Sequence, residues 1–306
     1  MLRLILHRLL WLPLVLLVVL AATTWLMRAA PGSPFAAEKQ VDREIQEQML
    51  KKWGEDKNGR QWFVAYLKGL VRGDLGPSYR VQGRTVNDLL GSALPVSLTL
   101  GLLALFLALL VGVPAGFLAG LRQNSLWDYG SMALALLGIS LPAFVVGAVL
   151  VIVLVFNWNA FPVGGWGALS QLPLPAVTLA APFAAVIARL SRAGVLEVVH
   201  EDYVRTAKAK GLPKGEIVLK HLIRGAILPV VSYLGPAAAA IFTGSFVVEK
   251  LFRIPGMGMH FVNSAINRDY LLILGVVLVY STLLVLFNLV VDVAYGLLDP
   301  RVRLGK

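Results

Sequence analysis

The chain contains no cysteine. That excludes disulfides and thiolate metal sites, so any part of it in water is held by packing alone. It has no Gly-x-x-x-x-Gly-Lys-[Ser/Thr] loop to cradle phosphate, so any nucleotide chemistry belongs to another chain. It has no His-Glu-x-x-His pair and no plausible paired carboxylates, which argues against a protease. Its histidines, His7, His200, His221 and His260, stand in or beside loops with no metal-ligand spacing, and they read as solvated or capping residues. Charge is scarce as well: 15% of residues are Asp, Glu, Lys or Arg, with 28 bases against 17 acids and a net charge of +11. Those bases are scattered over loops without an aromatic-rich or grooved motif, so nucleic acid is excluded as a partner.

What remains is apolar. At 58% hydrophobic, the chain has more apolar surface than one globular core can bury, so it must also face lipid. Six stretches are long enough, at about 1.5 Å per residue, to cross a hydrocarbon layer roughly 30 Å thick. They are Leu9 to Met27, Pro95 to Gly120, Ser131 to Phe156, Leu172 to Ala188, Ala226 to Val248 and Leu271 to Leu298. Charged residues stay outside them, as a mid-bilayer cost of about 3 kcal/mol per charge requires. Asp292 is the exception.

Short loops rich in Lys and Arg stay in the cytoplasm. Arg3 and Arg8, Arg122, the stretch with Arg205, Lys208, Lys210, Lys214, Lys220 and Arg224, and the tail with Arg301, Arg303 and Lys306 therefore face inward. This predicts both termini in the cytoplasm. Leu9 to Met27 reads as an anchor rather than a cleavable leader, because its apolar run exceeds the usual signal core and Arg28 interrupts a cleavage site.

Residues 1–28 are thus an anchor helix, 29–94 an extracytoplasmic helical insertion, 95–298 a core of five spans with a cytoplasmic arm at 191–225, and 299–306 a tail. In the insertion, Asp42 to Trp53 and Gln61 to Arg72 place apolar residues at helical spacing. Trp62, Phe63, Tyr66, Leu67 and Leu70 lie on one face, and Gly73 stands at the stop. Pro114, Pro142, Pro182, Pro229 and Pro236 predict bent spans, and Gly235, Ala237, Ala238, Ala239, Ala240 and Gly244 predict close helix packing.

The arm predicts one amphipathic helix from Val195, with Val195, Val199, Tyr203 and Ala207 every fourth residue. Lys208 and Lys210 fall in its last turn, Gly211 suits a left-handed cap, and Pro213 forbids continuation. A second helix then starts at Pro213 or Lys214 and runs into the fifth span. Such an arm suits either a groove on a soluble partner or the anionic headgroups of membrane lipid.

Arg205-Thr206-Ala207-Lys208-Ala209-Lys210-Gly211, followed by Ile227-Leu228-Pro229, resembles the cytoplasmic signature of binding-protein-dependent ABC importer permeases. Arg205-Thr206-Ala207 replaces that family's Glu-Ala-Ala, as in its peptide and nickel subgroup. Further landmarks agree across nearly the whole chain: Arg28 with Pro31-Gly32-Ser33-Pro34, Gly73-Asp74-Leu75-Gly76-Pro77-Ser78, Pro255-Gly256-Met257-Gly258, Arg268-Asp269-Tyr270 and Asp299-Pro300-Arg301-Val302-Arg303. Gln123-Asn124 and Trp127-Asp128-Tyr129 are similar to the first permease subunit of oligopeptide importers. The resemblance implies an all-α membrane protein with the six-span type I permease fold. It implies oligopeptide import by alternating access, with dipeptides, nickel or glutathione as alternative cargo. The implied partners are a second homologous permease, two cytoplasmic P-loop ATPases that carry the ATP and Mg, and an extracytoplasmic peptide-binding protein. This chain itself needs no cofactor and catalyses no covalent step. The ATPase-coupling residues would be Val199, Tyr203, Arg205, Thr206, Ala207, Lys208 and Gly211, with small Ala207 and Gly211 allowing close approach.

Asn288 and Asp292 lie one turn apart and could share a hydrogen bond. Asp292 reads either as a proton-relay group, as in a carrier driven by an ion gradient, or as a structural contact near the cytoplasmic end. Glu249 to Tyr270 reads as an external re-entrant or gate-like loop. Tyr233, Phe242, Asn263 and Asn267 are candidate residues of the cargo path.

Overall fold

A computed structural model describes residues 2–29, 59–81, 83–243 and 246–298. The expected helix Asp42 to Trp53, the Pro31 to Pro34 landmark and the closing Asp299 to Arg303 lie outside these residues. The described chain is helical: α1 (Leu2–Ala29), α2 (Gly59–Val71), α3 (Val86–Leu121), α4 (Leu126–Ser140), α5 (Ala143–Leu150), α6 (Pro173–Val198), α7 (Asp202–Ala209), α8 (Lys214–Ala226), α9 (Leu228–Thr243), α10 (Phe246–Leu251), α11 (Met257–Asn267) and α12 (Tyr270–Leu298). Helices α1, α3, α6 and α12 are each long and apolar enough to cross a membrane. Two bent pairs, α4 with Ala143–Asn157 and α8 with α9, bring the spans to six if each pair is one span.

Prolines account for those bends. The third stretch, expected as one span, is broken by 109° at Leu141 and Pro142. The ring of Pro142 disfavours helical backbone at the residue before it, and Leu141 is extended, with φ −87° and ψ 128°. The α8–α9 pair bends by 51°, so the arm does not run straight into the fifth span as expected. Pro229, which lacks an N–H, stands in the first turn of α9. Pro114, Pro182 and Pro236 lie inside helices that continue through them. The segment expected as a re-entrant or gate-like loop holds the end of α10 and all of α11.

Two compact units divide the chain, one of Leu9–Val96 and Gly256–Thr282, the other of Met1–Arg8, Ser97–Pro255 and Leu283–Lys306. In the first, Trp62 and Tyr66 of α2 stack at 5.9 Å and are buried with Leu20, Val86, Leu90 and Leu271. Burying such a ring is worth about 2 to 3 kcal/mol. It also pushes the Tyr66 phenol above its ordinary pKa. Phe63, Leu67 and Leu70 pack against the same cluster, and Gly73, at φ +76°, ends the helix as its sequence position predicts. The insertion's aromatic face is therefore core.

In the second unit α6 is central. Gly112, Gly116 and Gly120 of α3 form a seam against it, and a Cβ at Gly116 would collide with the Ala188 carbonyl and Ser191 Cβ. Gly194 makes a similar close approach to the Ala226 carbonyl of α8. In lipid, helices gain little from hydrophobic exclusion, so contact at this range supplies the cohesion.

Candidate partner-docking arm

The arm is two short helices on an apolar base. Phe117 of α3, Val195 and Val198 of α6, Val204 and Ala207 of α7, and Ile217, Leu222 and Ala226 of α8 form one buried cluster. The single helix expected from Val195 to Gly211 is broken: α6 ends at Val198, and Glu201 is extended before α7 begins. No Gly or Pro marks that break in the sequence. Its trace is the acidic Glu201-Asp202 pair, suited to a helix start.

The break shifts the register of the stripe. Val195 and Ala207 are buried as expected and Val199 is half-buried, but Tyr203 is 46% exposed while Val204 is fully buried. Ala207 is only 3% exposed, so its methyl group faces the arm's own core and not a partner. The exposed face carries Tyr203, Arg205, Thr206, Lys208, Lys210 and Gly211.

The stop of α7 is a Schellman turn. Leu212 N–H donates to the Ala207 carbonyl at 3.3 Å, Gly211 N–H donates to the Lys208 carbonyl at 3.0 Å, and Gly211 takes φ +74°. Helix α8 then starts behind Pro213, with Lys220 donating to Glu216 at 2.7 Å. Its middle, Ile217–Leu222, is π-helical.

A charged pair that sequence reasoning missed lies at the start of the arm, one turn before Val195. Arg192 of α6 donates to Asp128 of α4 through Nε at 2.5 Å and Nη2 at 2.9 Å. The Asn124 N–H donates to the same carboxylate at 3.0 Å. Asp128 was visible only as part of the Trp127-Asp128-Tyr129 landmark, and its partner is remote in sequence.

The other candidates separate. Asp292 Oδ2 lies 2.8 Å from Arg8 Nη2, whereas Asn288 packs against Gly235 of α9; the hydrogen bond expected between Asn288 and Asp292 gives way to these partners. Phe242 is 2% exposed, stacked on Phe287 at 4.6 Å and pressed against Gly101. Tyr233 is half-buried in α9. Asn263 and Asn267 are exposed on α11, and the Asn267 carbonyl accepts from Arg80 Nε at 2.8 Å.

Apolar helices long enough to cross a membrane and a folded polar arm are the features of an integral membrane protein. Residues 112–304 match the family described as binding-protein-dependent transport system inner membrane component, and the chain belongs to that family. It is 43% identical over 305 residues to the oligopeptide transport system permease protein OppB of Haemophilus influenzae, covering 99% of this chain and all of that one. It is 42% identical over 291 residues to the dipeptide transport system permease protein DppB of Bacillus subtilis, covering 95% and 94%. An inward-facing structure of the MetNI methionine ABC transporter matches with a TM-score of 0.53 at 18% identity, over 69% of this chain and 96% of that chain. That likeness supports the type I permease fold.

Proposed function

We propose that this chain is one permease subunit of an ATP-driven importer of oligopeptides and couples to ATPases through α7. The observation that carries the coupling role is the division of α7 into two faces: Val204 and Ala207 lock it to α3, α6 and α8, and Arg205, Thr206 and Lys208 are left outside. A helix held this firmly passes a displacement to the spans beneath it. Two cytoplasmic P-loop ATPases hold ATP and Mg, and a second permease completes the pathway. An extracytoplasmic peptide-binding protein delivers cargo to the side bearing α2. Both termini and the arm face the cytoplasm, with residues 1–28 as anchor and 29–94 as the external insertion. Differential binding of nucleotide to two arrangements of the ATPases drives the change of access.

Tyr233, Asn263 and Asn267 are proposed as path residues. Dipeptides are the second cargo reading, favoured by the Bacillus subtilis relative. The test of coupling is Arg205→Glu with Lys208→Glu in the assembled transporter. Peptide uptake per ATP should fall about tenfold while the protein stays folded in the membrane; wild-type uptake per ATP contradicts the reading.

A further inference from the structure

The base of α7 is well anchored to α6, yet α4 lies beyond it and has no residue in the arm's apolar cluster. At this end α4 follows α3 through the short turn at residues 122–125, and the Asp128 carboxylate adds a direct tie to α6, the arm's foundation. It is 2% exposed and takes both Arg192 donors side by side, so the pair fixes orientation as well as distance. The corner that supplies it is equally constrained. Ser125 caps α4 by accepting from Asp128 N–H, and Asn124, at φ 62°, turns its own N–H onto Asp128. Arg192 stands one turn before Val195 and two before Val198, both members of the arm's core. Farther along the same hairpin, α5 touches α6 again where Gly147 approaches Thr178. The α4–α5 hairpin is thus held to α6 by a charged fork at the arm end and by close packing past its 109° bend.

We propose that Asp128 and Arg192 are positioning residues for transport. They form a strut that makes α4 move with α7 and α6 as one body when the arm is displaced. This rests on the docking role of α7. Packing by small side chains alone would let α4 slide along α6, because the Gly138 contact with Ala185 carries no directional bond. The guanidinium fork removes that freedom and extends the lever to a helix the arm does not touch. Arg192 is 27% exposed, so water reaches the pair and the strut can re-form within a cycle.

The test uses the complete transporter, with cysteines replacing exposed Tyr129 and Glu197 as spin-label sites in a chain that has no others. In the otherwise native protein, the distance between labels should be the same without nucleotide and with ATP and vanadate. In Asp128→Asn it should change with nucleotide, and uptake per ATP should fall about tenfold. Arg192→Lys, which keeps the charge and loses the fork, should lie between and serves if Asp128→Asn fails to assemble. A distance that changes with nucleotide in the native background, or normal coupling in Asp128→Asn, overturns the strut. Failure of the docking reading is separate, because it appears as no crosslink from residue 206 to an ATPase whatever the label distance does.

Discussion

Ser78 donates its hydroxyl to the carboxylate of Asp269, 191 positions away. The same carboxylate accepts from Tyr79 N–H at 3.1 Å and from Leu272 N–H at 3.3 Å in the first turn of α12, and it is 1% exposed. Two motifs that looked independent in the sequence, Gly73 to Ser78 and Arg268 to Tyr270, are therefore the two sides of one contact. Asp269→Ala strands three donors and should cost about 3 kcal/mol, against about 1 to 2 kcal/mol for Ser78→Ala. Thermal unfolding of the detergent-solubilised protein should rank them in that order; equal and negligible losses would contradict it.

The contact between Arg8 and Asp292 has the opposite character. The side chains are 52% and 31% exposed, so the pair is not sealed inside the helix core. Asp292→Asn should therefore leave peptide uptake within about twofold of wild type, since its loss only frees Arg8. Loss of uptake with the complex intact would instead restore the proton-relay reading and an ion-driven carrier.

Gly116 should tolerate no side chain of any bulk. Gly116→Val places carbon against the Ala188 carbonyl and Ser191, and overpacking of this kind costs about 1 to 3 kcal/mol or more. Gly91→Ala, where nothing lies within 4 Å, is the matched control. Membrane levels of folded protein should drop for the first and hold for the second; equal levels would show that α3 and α6 do not cross as closely as described.

Neighbouring residues of α7 should separate folding from coupling. Ala207→Trp forces a large ring into the cluster with Phe117 and Val204, so it should reduce folded protein. Thr206→Trp adds the same ring to the exposed face, so it should leave folding intact and lower uptake per ATP. The pattern is read by comparing protein level with coupled transport, and the reverse assignment would contradict the two-faced arm.

Apolar length made four spans legible, and Gly73, Gly211 and Pro213 marked real helix ends, because these signals depend on local backbone chemistry. Pro142 announced a bend but not its size, which depends on what α5 packs against. The break at Glu201 was hidden because the residues around it continue a helical pattern; tertiary burial of Val204 and Ala207 selects the register there. Arg192 with Asp128, and Ser78 with Asp269, were out of reach because each partner is distant in sequence. The glycine seam was readable in principle, as glycines at every fourth position from Gly112 to Gly120 on an apolar helix.

The central claim is that the exposed face of α7 meets a nucleotide-hydrolysing partner inside the cell. Because the chain has no native cysteine, Lys208→Cys carries a unique crosslinker. In intact cells expressing the whole transport system, the account predicts an adduct with an ATPase subunit and no labelling of residue 208 by a membrane-impermeant reagent added outside. Labelling from outside, or no ATPase adduct from an assembled complex, would contradict it.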